Sequence, residues 1–137
     1  MSKENVEIVR RAFDQAGRRD VSVMDVYDPE VEMDFSDSPF ADFMRTAGRL
    51  RGRGEIQSAF GDWYDVFQGL ETDVDELIDA DEHVIVVFTY RGKGRTSGVE
   101  VAFKHMAGLW MFRDGKVVRV AWLRTREKAL EAAGLSE

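Results

Sequence analysis

The carboxylate best placed for chemistry in this sequence is Asp34. It lies in VEMDFS (31–36), where apolar and polar residues alternate with the period of a β-strand. A slip or bulge of one residue would exchange Met33 for Asp34 on the apolar side of that strand. Surrounded by apolar rings, Asp34 would have a raised pKa suited to proton transfer. On the polar side of an edge strand it would be a solvated carboxylate, and the sequence leaves both alternatives open.

The sequence lacks the usual motifs for metal, nucleophilic or phosphate chemistry. His83 and His105 have no Asp, Glu or His at ligand spacing, so each is expected to be structural. There is no HExxH, GxSxG or GxGxxG, and GKGR at 92–95 lacks the glycine spacing of a phosphate-binding loop. The chain has no cysteine, which excludes disulfides and thiolate chemistry. We therefore expect neither a metal nor a cofactor.

A basic stretch, Arg45, Arg49, Arg51 and Arg53, precedes a predicted helix. Arginines in that position can hold an anionic ligand at the helix N-terminus. A solvated strand and loop accounts for the same pattern.

The charge balance narrows the possible partners. Nineteen basic against twenty-six acidic residues give a net charge of −7. Binding to nucleic acid through phosphates depends on Lys and Arg, so this balance argues against that role. The opening MSKENVEIVRRAF lacks the unbroken apolar stretch of a signal peptide, and no apolar run is long enough to span a membrane. We expect a cytoplasmic protein that binds neither nucleic acid nor membranes.

The elements that would position these groups follow from periodicity and turn signals. With 137 residues and 44% apolar composition, the chain has the size of one domain, 1–137. The patterns predict a helix at 3–17, a short helix between Asp20 and Pro29, a strand at 31–36, a helix at 54–67, strands at 71–79, 84–90, 101–113 and 117–124, and a final helix between Thr125 and Gly134. Asp114–Gly115 predicts a type I′ hairpin turn. Helices followed by an antiparallel meander indicate an α+β fold.

Several predicted strands are apolar at nearly every position, Val84 to Phe88 above all. The strands of a meander with one solvent-exposed face alternate apolar and polar residues, so continuous apolar runs predict that both faces are covered. Helices are expected on one face only. We therefore predict a homodimer in which the other face meets a second copy of the sheet.

The ordered set of segments resembles the SnoaL-like family of the nuclear transport factor 2-like superfamily. The residues that carry the resemblance are NVEIVRRAF (5–13), YDPEVEMDF (27–35), RGRGEIQSAF (51–60), LWMFRDGKVVRV (109–120) and REKALEAAGL (126–135). The resemblance implies a cone-shaped, strongly curved antiparallel sheet wrapped around N-terminal helices and enclosing an apolar pocket. Members of the family include cyclases, isomerases, hydrolases and non-catalytic binding proteins, so the fold alone does not give the function.

Strand parity predicts which side chains face such a pocket. Trp110 and Phe112 are taken as inward, and period two then adds further strand residues, while the helix at 54–67 approaches the same space. The ligand-binding candidates are, from the strands, Met33, Phe88, Tyr90, Met106, Trp110, Phe112 and Trp122 and, from the helix, Phe60, Trp63 and Tyr64. The same rings could simply pack a core. Lys104 and Arg124 share the inward parity, where a cation could hold an enolate or carboxylate, or lie at the mouth and reach solvent.

The resemblance also allows a test of the steroid-isomerase mechanism, which uses a carboxylate base and a Tyr/Asp oxyanion hole. The base falls at Met33, the acidic donor at Gly108 and the helix tyrosines near Ala12 and Phe60. None of these residues can serve those roles. We therefore expect a small apolar ligand bound without steroid-isomerase chemistry. The alternative is a cofactor-independent cyclase, isomerase or hydrolase using Asp34 or Arg124, and a partner subunit of a larger enzyme is a third possibility.

Overall fold

In a computed structural model of the protein, residues 2–17, 21–39, 41 and 48–135 are described; Asp20 and Arg45 lie outside them. The elements are α1 (Ser2–Gly17), a 3₁₀ helix (Val21–Val26), β1 (Tyr27–Asp34), β2 (Arg49–Arg51), α2 (Gly52–Val66), β3 (Phe67–Ala80), β4 (His83–Gly94), β5 (Glu100–Arg113), β6 (Lys116–Leu123) and α3 (Arg126–Ala132). The predicted α+β class is confirmed. None of the helices in the described ranges is long and apolar enough to cross a membrane.

The six strands form one curved, unclosed sheet in the order β2-β1-β6-β5-β4-β3. Strands β3 to β6 are the predicted antiparallel meander. The expectation of a wholly antiparallel sheet is wrong, because β1 pairs in parallel with β6 and Met33 lies opposite Val120. Hairpin signals predict only how consecutive strands pair. The β1–β6 pair joins strands from opposite ends of the chain, which no local signal predicts.

Local chemistry explains where the C-terminal elements begin and end. Asp114 and Gly115 both have positive φ, 52° and 77°, as a type I′ turn requires. The Thr125 hydroxyl accepts a hydrogen bond of 3.1 Å from the Lys128 backbone N–H and so caps α3. Gly134, with φ +78°, follows the helix in the left-handed region that favours glycine. The predicted hairpin, cap and stop all lie where the sequence places them.

The concave face of the sheet packs against α1, α2 and the 3₁₀ helix. Val84, Val86 and Phe88 point to this side, which explains one half of the apolar run in β4. The two helices contribute fully buried residues, Val9 from α1 and Ile56 from α2. This inner cluster joins the helices to the concave side of the sheet.

The convex face of the same strands is covered by α3. Ile85 and Val87 of β4 lie in a second buried cluster with Leu109 of β5 and Ala129 and Leu130 of α3. The expectation that helices cover one face only is therefore wrong, because the last helix folds back over the outside. The continuous apolar runs are explained within one chain. The homodimer stays a prediction, without this argument to support it.

Four bulges shift the side-chain parity along the meander, and the first lies at the start of β3, between the pairs Gln68–Lys93 and Glu71–Arg91. Between the pairs Phe88–Met106 and Tyr90–Phe103, β5 carries two residues against one in β4, and His105 there has φ +56°. Asp75 is the extra residue in β3, and Val118 is the extra residue in β6. Beyond each bulge, every side chain lies on the opposite face from the one that simple alternation predicts.

Candidate functional site

A cavity of about 320 Å³ lies between the helices and the concave side of the sheet. Ten of its fifteen lining residues are aromatic, and the others are small, aliphatic or hydroxyl-bearing. The lining residues are Ala12, Phe13, Ala16, Tyr27, Phe35, Phe60, Trp63, Tyr64, Gly69, Leu70, Thr72, Phe88, Tyr90, Trp110 and Trp122. The cavity is of the size and apolar character of small-molecule pockets, near the lower end of their usual range.

Seven of the ten predicted ligand-binding residues lie in this wall: Phe60, Trp63, Tyr64, Phe88, Tyr90, Trp110 and Trp122. Met33 and Met106 are instead fully buried in the cluster beside the cavity, and Phe112 packs partly buried against it. These three have the predicted inward parity, but other side chains separate them from the open space. The part that any of the ten plays in ligand binding stays a prediction.

Sequence reasoning missed several of the lining residues. Tyr27 was assigned to the short helix, yet it begins β1 and is 3% exposed. Leu70 and Thr72 lie in β3, which starts at Phe67, and Gly69 at φ +63° marks the irregularity there. Phe13 was visible in the sequence as part of the apolar stripe of α1. Its position over the sheet depends on tertiary packing and could not be predicted.

Trp110 and Trp122 form the innermost part of the wall. Their rings cross at 81° with centroids 5.9 Å apart, and Tyr27 stacks on Trp110 at 26°. This close approach depends on Gly108, where a Cβ would lie 2.9 Å from Trp122 Cζ3 and 3.0 Å from Trp110 Nε1. Both indole nitrogens are buried, and neither has a hydrogen-bond partner among the residues that the structure describes. Each is a neutral donor with unmet capacity, which costs about 1–3 kcal/mol.

Three tyrosines supply hydroxyl groups to the cavity wall. The Tyr64 hydroxyl donates to the Ala16 carbonyl at 3.0 Å, which joins α2 to the end of α1. Burial raises the pKa of Tyr27 above its ordinary range. Burial also raises the pKa of Tyr90, and the neighbouring Tyr64 adds to this effect. At neutral pH Tyr27 and Tyr90 are therefore protonated and can donate to a ligand.

Asp34 lies outside this cavity, because β1 pairs without a shift from Glu32 to Asp34 and Met33 takes the inward position at 1% exposure. Partial burial acts to raise the pKa of Asp34. Hydrogen bonds from the side chain and backbone of Ser36, together with the charges of Arg49 and Arg119, outweigh that effect, so the pKa is lowered. The Ser36 backbone N–H donates to Oδ1 at 2.9 Å, and Arg119 Nη2 lies 3.5 Å from Oδ2. Asp34 is an ionised carboxylate in a charged cluster, which does not suit it to be a base.

The two cations predicted to face inward also lie elsewhere. Arg124 follows the end of β6 and is exposed. Lys104 is exposed because the β5 bulge turns it outward, and Phe103 takes the position against the inner cluster. Neither residue lines the cavity. Their exposure agrees with the alternative in which both side chains reach solvent. Period two cannot be continued through a bulge or past the end of a strand, so it does not bring either residue to the inner face.

The same bulge gives His105 a neighbour that the sequence did not predict. The Asp75 carboxylate lies 3.4 Å from His105 Nδ1 and accepts a 2.9 Å hydrogen bond from the buried Thr89 hydroxyl. The His105 backbone N–H donates to the same hydroxyl oxygen at 3.3 Å. His105 itself is 74% exposed in its side chain. The cluster ties together two bulges on the outer face, away from the cavity.

The described arginines of the basic stretch are held by the chain itself. Arg49 lies 3.9 Å from Asp34, and Arg51 pairs with Glu32 at 3.8 Å across the β1–β2 ladder. The Arg53 guanidinium donates to the Tyr27 carbonyl from the first turn of α2. This part of the stretch is the strand β2 and the start of α2, whereas the second alternative had placed it in a solvated strand and loop. Within the described part of the chain, no group of three or more His, Cys, Asp or Glu could hold a metal ion.

Comparison with known proteins places this fold and cavity in a family. The model of the SnoaL-like domain family matches residues 9–120. The chain belongs to the SnoaL-like domain family. The resemblance seen in the sequence is thereby confirmed. A search of curated protein sequences gives no match to this SnoaL-like domain.

Solved structures share the fold of this SnoaL-like domain over nearly its whole length. A nuclear transport factor 2-like protein from Burkholderia thailandensis is 25% identical, with a TM-score of 0.74 over 96% of this chain and 97% of the other. One of unknown function from Burkholderia pseudomallei is 19% identical, with a TM-score of 0.75 over 93% and 95%. A Catenulispora acidiphila protein with a ketosteroid isomerase-like fold, in complex with trimethylamine, is 16% identical, with a TM-score of 0.70 over 95% and 94%. These likenesses show the fold.

Proposed function

We propose that this SnoaL-like domain binds an apolar, ring-containing small molecule inside its cavity. The observation that carries the proposal is the cavity of about 320 Å³ walled mainly by aromatic side chains. Aromatic rings bury large areas and pack well on the faces and edges of other rings. A structure of the same fold from Catenulispora acidiphila was solved with a bound small molecule, which agrees with such a role for the fold.

The enzyme alternative has less support than the binding function. It was based on Asp34 and Arg124, and both lie outside the described cavity wall. Asp34 has a lowered pKa, whereas a general base working near neutral pH needs a raised one. The tyrosine hydroxyls and indole N–H groups of the wall can orient a ligand by donating hydrogen bonds, which a binding protein also requires.

The test is titration with N-phenyl-1-naphthylamine, an uncharged two-ring dye with an attached phenyl group that brightens in apolar surroundings. We expect one saturable site per chain. Phe60→Ala removes a half-buried ring from the wall and should weaken binding by about tenfold, since an aromatic contact contributes 1–2 kcal/mol. Phe103→Ala is the matched control, because Phe103 is also half-buried but does not line the cavity.

Affinity in Phe103→Ala should equal that of the wild type, and thermal melting should show that both variants are folded. If the dye does not bind, or if both variants lose affinity equally, the cavity is not the binding site and the proposal fails.

A further inference from the structure

We propose that the cavity selects the uncharged form of its ligand and rejects the corresponding anion, an inference that rests on the proposed binding function. An acidic ligand, such as a phenol or a carboxylic acid, would then enter only with its proton attached. Three features of the cavity favour the uncharged form: its wall, the arginines beside it and the phenols already buried there.

The wall offers an anion no counter-charge of its own. The face of an aromatic ring carries the negative part of its quadrupole, and ten aromatic residues line the cavity. No Asp, Glu, Lys, Arg or His stands among the lining residues that the structure describes. The polar atoms there are neutral hydroxyl and indole groups, which replace only part of the hydration that a buried anion loses. The net charge of −7 adds to the unfavourable potential.

The arginines next to the wall are engaged by the chain itself. Arg53 donates to the Tyr27 carbonyl and Arg95 donates to the Tyr64 carbonyl at 2.9 Å, so each is directed at the main chain of a lining residue. Arg91, which follows Tyr90, forms a 2.7 Å ion pair with Asp73. Arg53 and Arg95 keep their charge, but each guanidinium is directed at a main-chain carbonyl. A ligand anion would have to draw one of these groups away from its present partner to form a direct ion pair.

The tyrosines of the wall already experience this environment. Burial raises the pKa of Tyr27 on β1 and of Tyr90 on β4, and Tyr64 on α2 raises that of Tyr90 further. A phenolate is thus disfavoured at two points of the wall. A ligand phenol placed between them meets the same loss of hydration, so its neutral form is preferred for the same physical reason.

The experiment compares two dyes that share one ring system. N-phenyl-1-naphthylamine is uncharged, and 8-anilino-1-naphthalenesulfonate is the same ring system with an added sulfonate group that gives it a permanent negative charge. We expect the sulfonate to bind at least about tenfold more weakly at the site where the two dyes compete. Equal affinities would overturn the inference and leave the binding function standing. If neither dye binds, the proposed function itself fails.

A cation placed in the wall should change the preference. Thr72 lines the cavity opposite Tyr90 and is half-buried, so a lysine there can bring its ammonium group to the ligand. Thr72→Lys should reduce the preference for the uncharged dye about tenfold, and Thr72→Met, which adds length without charge, should retain it. Leu70→Lys, at the next inward position of the wall, repeats the test on a second residue. A folded lysine variant with the wild-type preference would overturn the inference.

Discussion

Replacement of Gly108 by alanine tests the packing of the innermost wall directly. The new Cβ would lie 2.9 Å from Trp122 Cζ3 and 3.0 Å from Trp110 Nε1, about 0.5 Å closer than ordinary contact begins at 3.4 Å. Both indoles are buried and held by other rings, so they cannot move away freely. Overpacking of this kind costs about 1–3 kcal/mol. Alanine also lowers the conformational entropy of the unfolded chain, which stabilises the folded protein by about 0.4–1 kcal/mol. We expect a net destabilisation of about 1–2 kcal/mol.

The assay is urea unfolding of Gly108→Ala beside Gly61→Ala. Gly61 lies exposed inside α2, and a Cβ there meets nothing within 4 Å, so alanine should stabilise the helix by about 0.5–1 kcal/mol. Opposite signs for the same substitution would separate crowding from backbone effects. Gly108→Ala should also weaken the binding of N-phenyl-1-naphthylamine, because a displaced Trp122 ring intrudes on the cavity. A Gly108→Ala protein as stable as the wild type would refute the close packing of the two indoles.

Three further outcomes are expected. The lowered pKa of Asp34 means that its carboxylate stabilises the folded protein at pH values above the ordinary pKa of 3.8. This stabilisation is lost as the pH falls through the lower pKa of the folded state. At neutral pH Asp34→Asn should therefore unfold at a lower urea concentration, with its free energy of unfolding reduced by less than about 1 kcal/mol, and in strong acid it should match the wild type. A more stable variant at neutral pH would contradict this assignment. Thr89→Val removes a donor to Asp75 and an acceptor for the His105 backbone N–H, and should lower the free energy of urea unfolding by about 1–3 kcal/mol. Thr96→Val on the exposed β4–β5 turn is the control, and an equal loss of stability in both variants would count against the cluster. Light scattering tests the homodimer, which a mass of 15.6 kDa would exclude.

The sequence predicted those parts of the fold whose cause is local. The Asp114–Gly115 turn needs only two residues that tolerate positive φ, and the α3 cap needs only the Thr125 hydroxyl. Both predictions are confirmed. The outer position of α3 was missed because its apolar residues, such as Leu130, show that it packs but not on which face. The parallel β1–β6 pair was missed for the same reason, since it joins distant segments.

For the candidate site, parity worked where strands are regular and failed beyond the bulges. Phe88, Trp110 and Trp122 lie in uninterrupted stretches and were placed correctly in the wall. Lys104 lies in the β5 bulge itself, and simple alternation assigned it to the wrong face. The residues KHM at 104–106 give no sequence signal that predicts the positive φ of His105. Bulges arise from the curvature of the whole sheet, which a single segment does not record.

The three tryptophans of the chain, Trp63, Trp110 and Trp122, all line the cavity. The intrinsic ultraviolet emission of the protein is therefore the emission of the cavity wall, with no tryptophan elsewhere to add a constant background. Trp110 and Trp122 are close enough, at 5.9 Å between ring centroids, to exchange excitation energy. A molecule that enters the cavity changes the surroundings of every emitter at once. The protein thus carries its own optical reporter of occupancy and can be screened against compound collections without a label.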